Sequence, residues 1–200
     1  MPRANSKTKV TTSPDVRVFI AGSRVLTRLN EPLRQRLDRI MAEHFAVLVG
    51  DANGADKAVQ SYLATRGYEK VTVYCTGIRC RNNVRPWPVK TVAPPTGVRS
   101  GFDYYAAKDR AMAADASHGL MIWDGESRGT FTDIVNLVGQ RKPVVLYLSH
   151  TRAFRHLHTA ADVLGILNEA TADARRHLEP LIGSLEARRA PMAGIPALLF

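Results

Sequence analysis

The sequence predicts an α/β protein: a parallel five-strand sheet in the order 3-2-1-4-5, helices on both faces, and further helices at the C-terminus. Three observations carry this expectation. Short apolar runs alternate with stretches whose apolar residues recur at helical spacing, the β-α-β signature of a parallel sheet. The runs VRVFIA, FAVLV, VTVYC, GLMIW and PVVLYL are almost continuously apolar, as strands covered on both faces are. Three of them end in Gly-containing loops, and ligands of such sheets sit outside the carboxyl ends of the strands.

The first strand is placed at Val16 to Ala21 and ends in Gly22-Ser23-Arg24, which offers an N–H, a hydroxyl and a guanidinium to a phosphate. Asn30 and Pro32 mark a helix start, with Leu33, Leu37, Ile40 and Met41 as its apolar stripe. The second strand, Phe45 to Val49, runs into a loop holding Gly50, Asp51, Gly54 and Asp56, and a helix follows with Val59, Tyr62 and Leu63 inward. Of Asp51 and Asp56, one is expected to cap that helix and the other to face a ligand, in either assignment. Val71 to Cys75 is the third strand.

Residues 76–103 break the rhythm with four prolines and three glycines, too long a stretch for an ordinary strand-to-helix loop. From 76 to 110 there are seven bases against two acids, with Trp87, Tyr104 and Tyr105 among them. Cations interleaved with aromatics suit a lid over a ligand carrying phosphate and base, or contact with nucleic acid. Tyr104 to Ala116 reads as a helix. Gly119 to Trp123 is the fourth strand. Asp124, Gly125, Ser127, Gly129 and Thr130 then form a tight turn into a helix carrying Phe131, Ile134, Leu137 and Val138 on one face. Such a turn aims backbone N–H groups and a positive helix end at an anion. Pro143 to Leu148 is the fifth strand.

The remainder, 151–200, reads as a helical extension with stripes Phe154/Leu157/Ala161/Leu164 and Ala174/Leu178/Leu181/Ile182/Leu185, a pair able to cover the sheet or build a dimer. The core domain is therefore 16–150, with 76–103 as its lid. Residues 1–15 are polar and basic, read as a disordered arm, and no apolar run approaches the roughly 18 residues needed to cross a bilayer. A cytoplasmic protein is the expectation. Cys75 and Cys80, five apart and without partners elsewhere, are expected to be reduced thiols, with no metal site. Lys and Arg total 28 against 18 acids, a net charge of +10, which points to an anionic partner.

Taken together, FIAGSR (19–24), GDANGADKA (50–58), RNN (81–83) with Trp87, AKDRAM (107–112) and MIWDGESRGT (121–130) give the chain a resemblance to the SLOG superfamily over residues 16–150. These are Rossmann-like proteins related to the "lonely guy" phosphoribohydrolases and to the DNA-processing protein A fold, and the nearest pattern is that of a bacterial branch. The resemblance implies a nucleotide-derived ligand and, in some members, cleavage of N-glycosidic bonds. The phosphoribohydrolases carry P-G-G-x-G-T-x-x-E after an R-K-x-x-M helix. This chain lacks the Pro-Gly-Gly, has Asp133 in place of the Glu and Lys108 in place of the Arg.

The expected function is thus binding of a nucleoside monophosphate, NAD or ADP-ribose-like ligand. Expected contacts are Gly22, Ser23, Arg24, Gly50, Asp51, Gly54, Asp56, Lys108, Asp109, Asp124, Gly125, Ser127, Gly129 and Thr130. The alternative is an N-glycosidic hydrolase in which Asp133 stabilises or activates and Lys108 holds phosphate. A nucleic-acid-binding protein is the third reading.

Overall fold

The computed structural model describes residues 15–186. The expected basic arm, apart from Asp15, and the apolar end Pro191 to Phe200 lie outside the described residues. Two strand-helix units open the fold: β1 (Arg17–Gly22), α1 (Glu31–Ala42), β2 (Ala46–Gly50) and α2 (Ala55–Thr65). β3 (Val71–Thr76), β4 (Val89–Val92) and α3 (Phe102–Asp115) follow. β5 (His118–Trp123), α4 (Arg128–Gly139), β6 (Val144–Leu148) and β7 (Ala153–Leu157) complete the sheet. α5 (Ala160–Leu167), α6 (Ala172–Leu178), a 3-10 turn (Glu179–Leu181) and the single-turn α7 (Gly183–Glu186) close the described chain.

The sheet has seven strands in the order β4-β3-β2-β1-β5-β6-β7, all parallel except β7 against β6. Both the expected count and the expected order are corrected by this: the five anticipated strands form the centre, and one strand is added at each edge. At one edge β4 comes from the presumed lid. Its exposed Val-Lys-Thr-Val pattern is too short and polar to stand out in sequence. At the other edge, Phe154 and Leu157 belong to β7 and not to a helical stripe. Thr159 stops any helix there by capping α5 in a reciprocal bond with Asp162.

Alternate residues of each central strand feed two cores. Val18 and Ile20 face α1 and α2, where Leu33, Leu37, Ile40, Val59 and Leu63 lie. Phe19 and Ala21 face α3 and α4, where Met112, Phe131, Ile134 and Leu137 lie. Val163, Ile166, Leu178, Ile182 and Leu185 of the C-terminal helices join this second core, so the extension covers the sheet's helical layer. Trp87 is buried in the first core, and its indole N–H donates to the Tyr68 carbonyl at 2.9 Å, so the middle of the expected lid is core.

The chain leaves β1 toward β2 on one side and returns at β5 on the other, which makes the β1/β5 boundary the switch point of the sheet. Two contacts hold the loops together there. Ser23 N–H donates to the Ile122 carbonyl at 2.9 Å, and Ala55 N–H donates to the Ser23 carbonyl at 3.3 Å. Gly54, at φ 84°, has no room for a β-carbon because the Arg24 backbone lies against it.

Candidate functional site

At the switch point, above the carboxyl ends of β1 and β2 and between α3 and α4, lies a cavity of about 410 Å³. Gly22, Arg24, Asp56, Lys108, Asp109, Ser127, Gly129, Thr130 and Asp133 line it. All were expected site residues. The wall is completed by Arg81, Phe102, Tyr105 and Arg128. A wider depression of about 680 Å³ lies over α2, with Arg34, Lys57 and Tyr62 on its walls, but gathers no buried ionisable side chain.

The floor is a buried cluster of charge. Lys108 lies on the inward face of α3, only 4% exposed, and its ammonium sits 2.5 Å from Asp109 Oδ1. Asp56 in the first turn of α2 and Asp133 in α4 complete the cluster, both buried. Burial by itself would drive a proton off Lys108, but the charges of Asp109, Asp56 and Asp133 outweigh it, and the ammonium is held well above its usual range. Burial pushes the Asp56 carboxyl up to about 6, with Lys108 pulling against it and Asp109 and Asp51 adding to it. Burial and the neighbouring Asp109 raise Asp133 well above the ordinary carboxylate range, against the pull of Lys108. One ammonium thus serves three carboxylates, and the cluster favours keeping a proton. A phosphate brought to this ammonium would meet the carboxylates as well.

The remaining expected residues shape the site from behind. Asp51 is buried, and Arg81 takes up its carboxylate: the Arg81 backbone N–H and Nε donate to Oδ2 at 3.0 and 3.1 Å, and Nη2 to Oδ1 at 2.7 Å. Burial works to raise that carboxyl, but these bonds and the Arg81 charge hold it below its usual range. The open assignment of Asp51 and Asp56 is corrected: neither caps α2, whose N-cap is Gly54 without a side-chain bond. Asp56 instead accepts from Ala52 N–H at 3.2 Å. Gly50 leaves space for the cluster, since a β-carbon there would meet the Asp56 carboxylate and the Lys108 ammonium. Ser23 is buried, and its hydroxyl accepts from Asp124 N–H at 3.3 Å. Asp124 accepts from Glu126 and Ser127 N–H at 3.0 and 2.7 Å, and Gly125 takes φ 91° in that turn. These two residues fix the turn that delivers Ser127, Gly129 and Thr130 to the cavity. A β-carbon on Gly129 would meet only open space, so the first turn of the twelve-residue α4 faces the cavity freely.

Two cation–aromatic pairs form the rim. The Arg81 guanidinium lies 4.3 Å from the Tyr105 ring centroid, and that of Arg128 lies 4.8 Å from Phe102. Both rings are about two-fifths exposed. The sequence shows the basic, aromatic stretch but does not single out Arg81 or Phe102 as site residues. Arg81 becomes wall by binding Asp51 after β2, and Phe102 by opening α3 at the rim.

The cysteines correct another expectation. Cys75 and Cys80 form a disulfide, with Cα atoms 5.3 Å apart. Five residues of extended chain would separate them too far. Gly77, at φ 77°, folds the segment back, and Tyr104, whose hydroxyl donates to the Thr76 carbonyl at 3.2 Å, holds the turn. Among the described residues, no helix is long and apolar enough to cross a membrane. No protein-family model matches the chain, and no curated protein matches it.

Proposed function

We propose that the protein binds a nucleotide-derived ligand in the switch-point cavity. The observation that carries this reading is the pairing, in one cavity, of an open helix start with a basic and aromatic rim. The first turn of α4 and the guanidinium of Arg24 suit a phosphate. Tyr105 and Phe102, each backed by an arginine, suit the face of a base. The carboxylates of the floor suit ribose hydroxyls. A calorimetric titration with AMP, ADP-ribose and NAD tests it. Saturable binding that Arg24→Ala or Gly129→Val weakens by about tenfold or more is expected, since a charge-assisted bond contributes roughly 1.5–3 kcal/mol. No heat from any of the three would remove the reading.

A second reading, hydrolysis of an N-glycosidic bond, draws on the buried carboxyls of Asp56 and Asp133, because perturbed carboxyls in a cleft are candidates for acid–base work. In this reading a carboxylate steadies the positive charge developing at the sugar C1′. A protonated carboxyl gives its proton to the departing base, water adds to C1′, and the proton lost by that water returns to the cluster. Incubation with nucleoside monophosphates and chromatography for free base separates the two readings. Turnover abolished by Asp133→Asn supports the enzyme, and binding without turnover leaves the binding protein.

A further inference from the structure

The Cys75–Cys80 disulfide stands directly behind the residue that closes the cavity wall. Cys75 lies in β3 and is buried, whereas Cys80 is half-buried on the loop that follows. Arg81 comes next, and its backbone N–H and its guanidinium both donate to Asp51. The two sulfurs and an Asp51 carboxylate oxygen lie within 4.8 Å of one another. The cross-link therefore lies next to the carboxylate that Arg81 binds.

We propose that this disulfide is a redox-controlled latch that seats Arg81 in the cavity wall, and that its reduction loosens the wall. Two physical effects act together. Closing the bond fixes a short loop that is otherwise held by the Gly77 N–H on the Val92 carbonyl at 3.2 Å and by the Tyr104 hydroxyl on the Thr76 carbonyl, and whose tip, Ile78, is fully exposed. Opening it returns conformational freedom to residues 76–80. It also leaves two thiols beside Asp51, each a donor that competes with Arg81 for the carboxylate. Access is provided from the loop side. A thiolate of a dithiol reductant attacks the Cys80 sulfur, the Cys75 thiolate departs and takes up a proton, and the second thiolate of the reductant closes on the mixed disulfide. One disulfide is broken, one is formed in the reductant, and two cysteine thiols result. Tyr105 is affected through its stacking on Arg81. The consequence for the ligand rests on the proposed nucleotide binding; the consequence for the loop does not.

The experiment compares the full-length protein as oxidised and after treatment with dithiothreitol, the redox state being verified by mass after alkylation. Hydrogen exchange of amides 76–84 is read first. Reduction is expected to speed it roughly tenfold, as local opening becomes cheaper, while β1 and β5 amides stay unchanged. Equal exchange in both states overturns the latch. AMP titration is read second. If one reduced molecule in ten keeps Arg81 seated, the apparent affinity falls about tenfold. Equal affinity in the two states also overturns the proposal as a control of binding. If AMP binds neither state, the nucleotide reading fails and the exchange data alone decide the latch. A variant carrying C75A and C80A should show the fast exchange of the reduced form and no response to dithiothreitol. A dithiothreitol response that persists in it would assign the effect elsewhere.

Discussion

Asp56 carries the clearest consequence at the level of a single residue. Its carboxyl binds a proton more tightly in the folded chain, at about 6, than at its ordinary value of 3.8. The linked stability is therefore complete below the unfolded value and is lost as pH rises through the folded one. A shift of that size corresponds to something on the order of 2–3 kcal/mol. Asp133, raised for the same main reason, acts in the same direction. Asp51, held low by Arg81, acts oppositely and loses its contribution as pH falls through its folded value. Asp56→Asn mimics the protonated acid, so the variant should gain on wild type as pH rises from about 4 to about 7. Melting temperatures of both proteins across that range check this; a difference independent of pH would refute the assignment. Gly54 is a second single-residue test. At φ 84°, against the Arg24 backbone, Gly54→Ala should destabilise by on the order of 2 kcal/mol or more, read as a lower urea midpoint.

The 76–103 segment and the start of α3 divide into a structural and a functional part at the level of elements. Trp87 is 3% exposed in the α1/α2 core, so Trp87→Ala should cost about 3–5 kcal/mol and lower the unfolding midpoint sharply. Phe102 opens α3 at the cavity rim and is 42% exposed. Phe102→Ala should leave stability within about 0.5 kcal/mol. It should nevertheless weaken AMP binding roughly tenfold, as loss of one stacking platform does. Unchanged affinity together with unchanged stability would remove Phe102 from the ligand contact. At the far end of the sheet, Thr159→Ala removes one half of the α5 capping box, with an expected loss of about 1 kcal/mol in urea unfolding.

Charge distribution bears on the proposed ligand class at the level of the whole molecule. The net +10 is offset at the cavity floor by three carboxylates around one ammonium, and Arg24, Arg81 and Arg128 stand around the concave wall. Concave, mixed-charge surroundings fit a small phosphorylated molecule better than the continuous basic face that a duplex requires. Anisotropy titrations with a labelled DNA duplex at physiological salt should accordingly show no submicromolar binding. Tight binding with a steep loss on added salt would reverse the ranking.

Local pattern in the sequence accounts for the central five strands, the helices between them and much of what lines the cavity. Strands covered on both faces must be apolar throughout, helices must repeat their apolar residues at helical spacing, and turns into helices need glycine and short polar residues at fixed places; each requirement is local and leaves its mark in a few consecutive residues. Gly22, Arg24 and the stretch from Ser127 to Thr130 were legible on those grounds. The tertiary structure alone decided the rest. Edge strands β4 and β7 have a free side and a weak apolar signature, so their partners define them. Arg81 became cavity wall because buried Asp51, thirty residues earlier, required a cation. Lys108 stands at the centre of a carboxylate cluster because α2, α3 and α4 converge on it. Cys75 and Cys80 became a cross-link because one glycine at positive φ reverses the chain between them. Pairing across the fold, burial and the resulting electrostatics depend on distance in space, and neighbouring residues in a sequence do not record it.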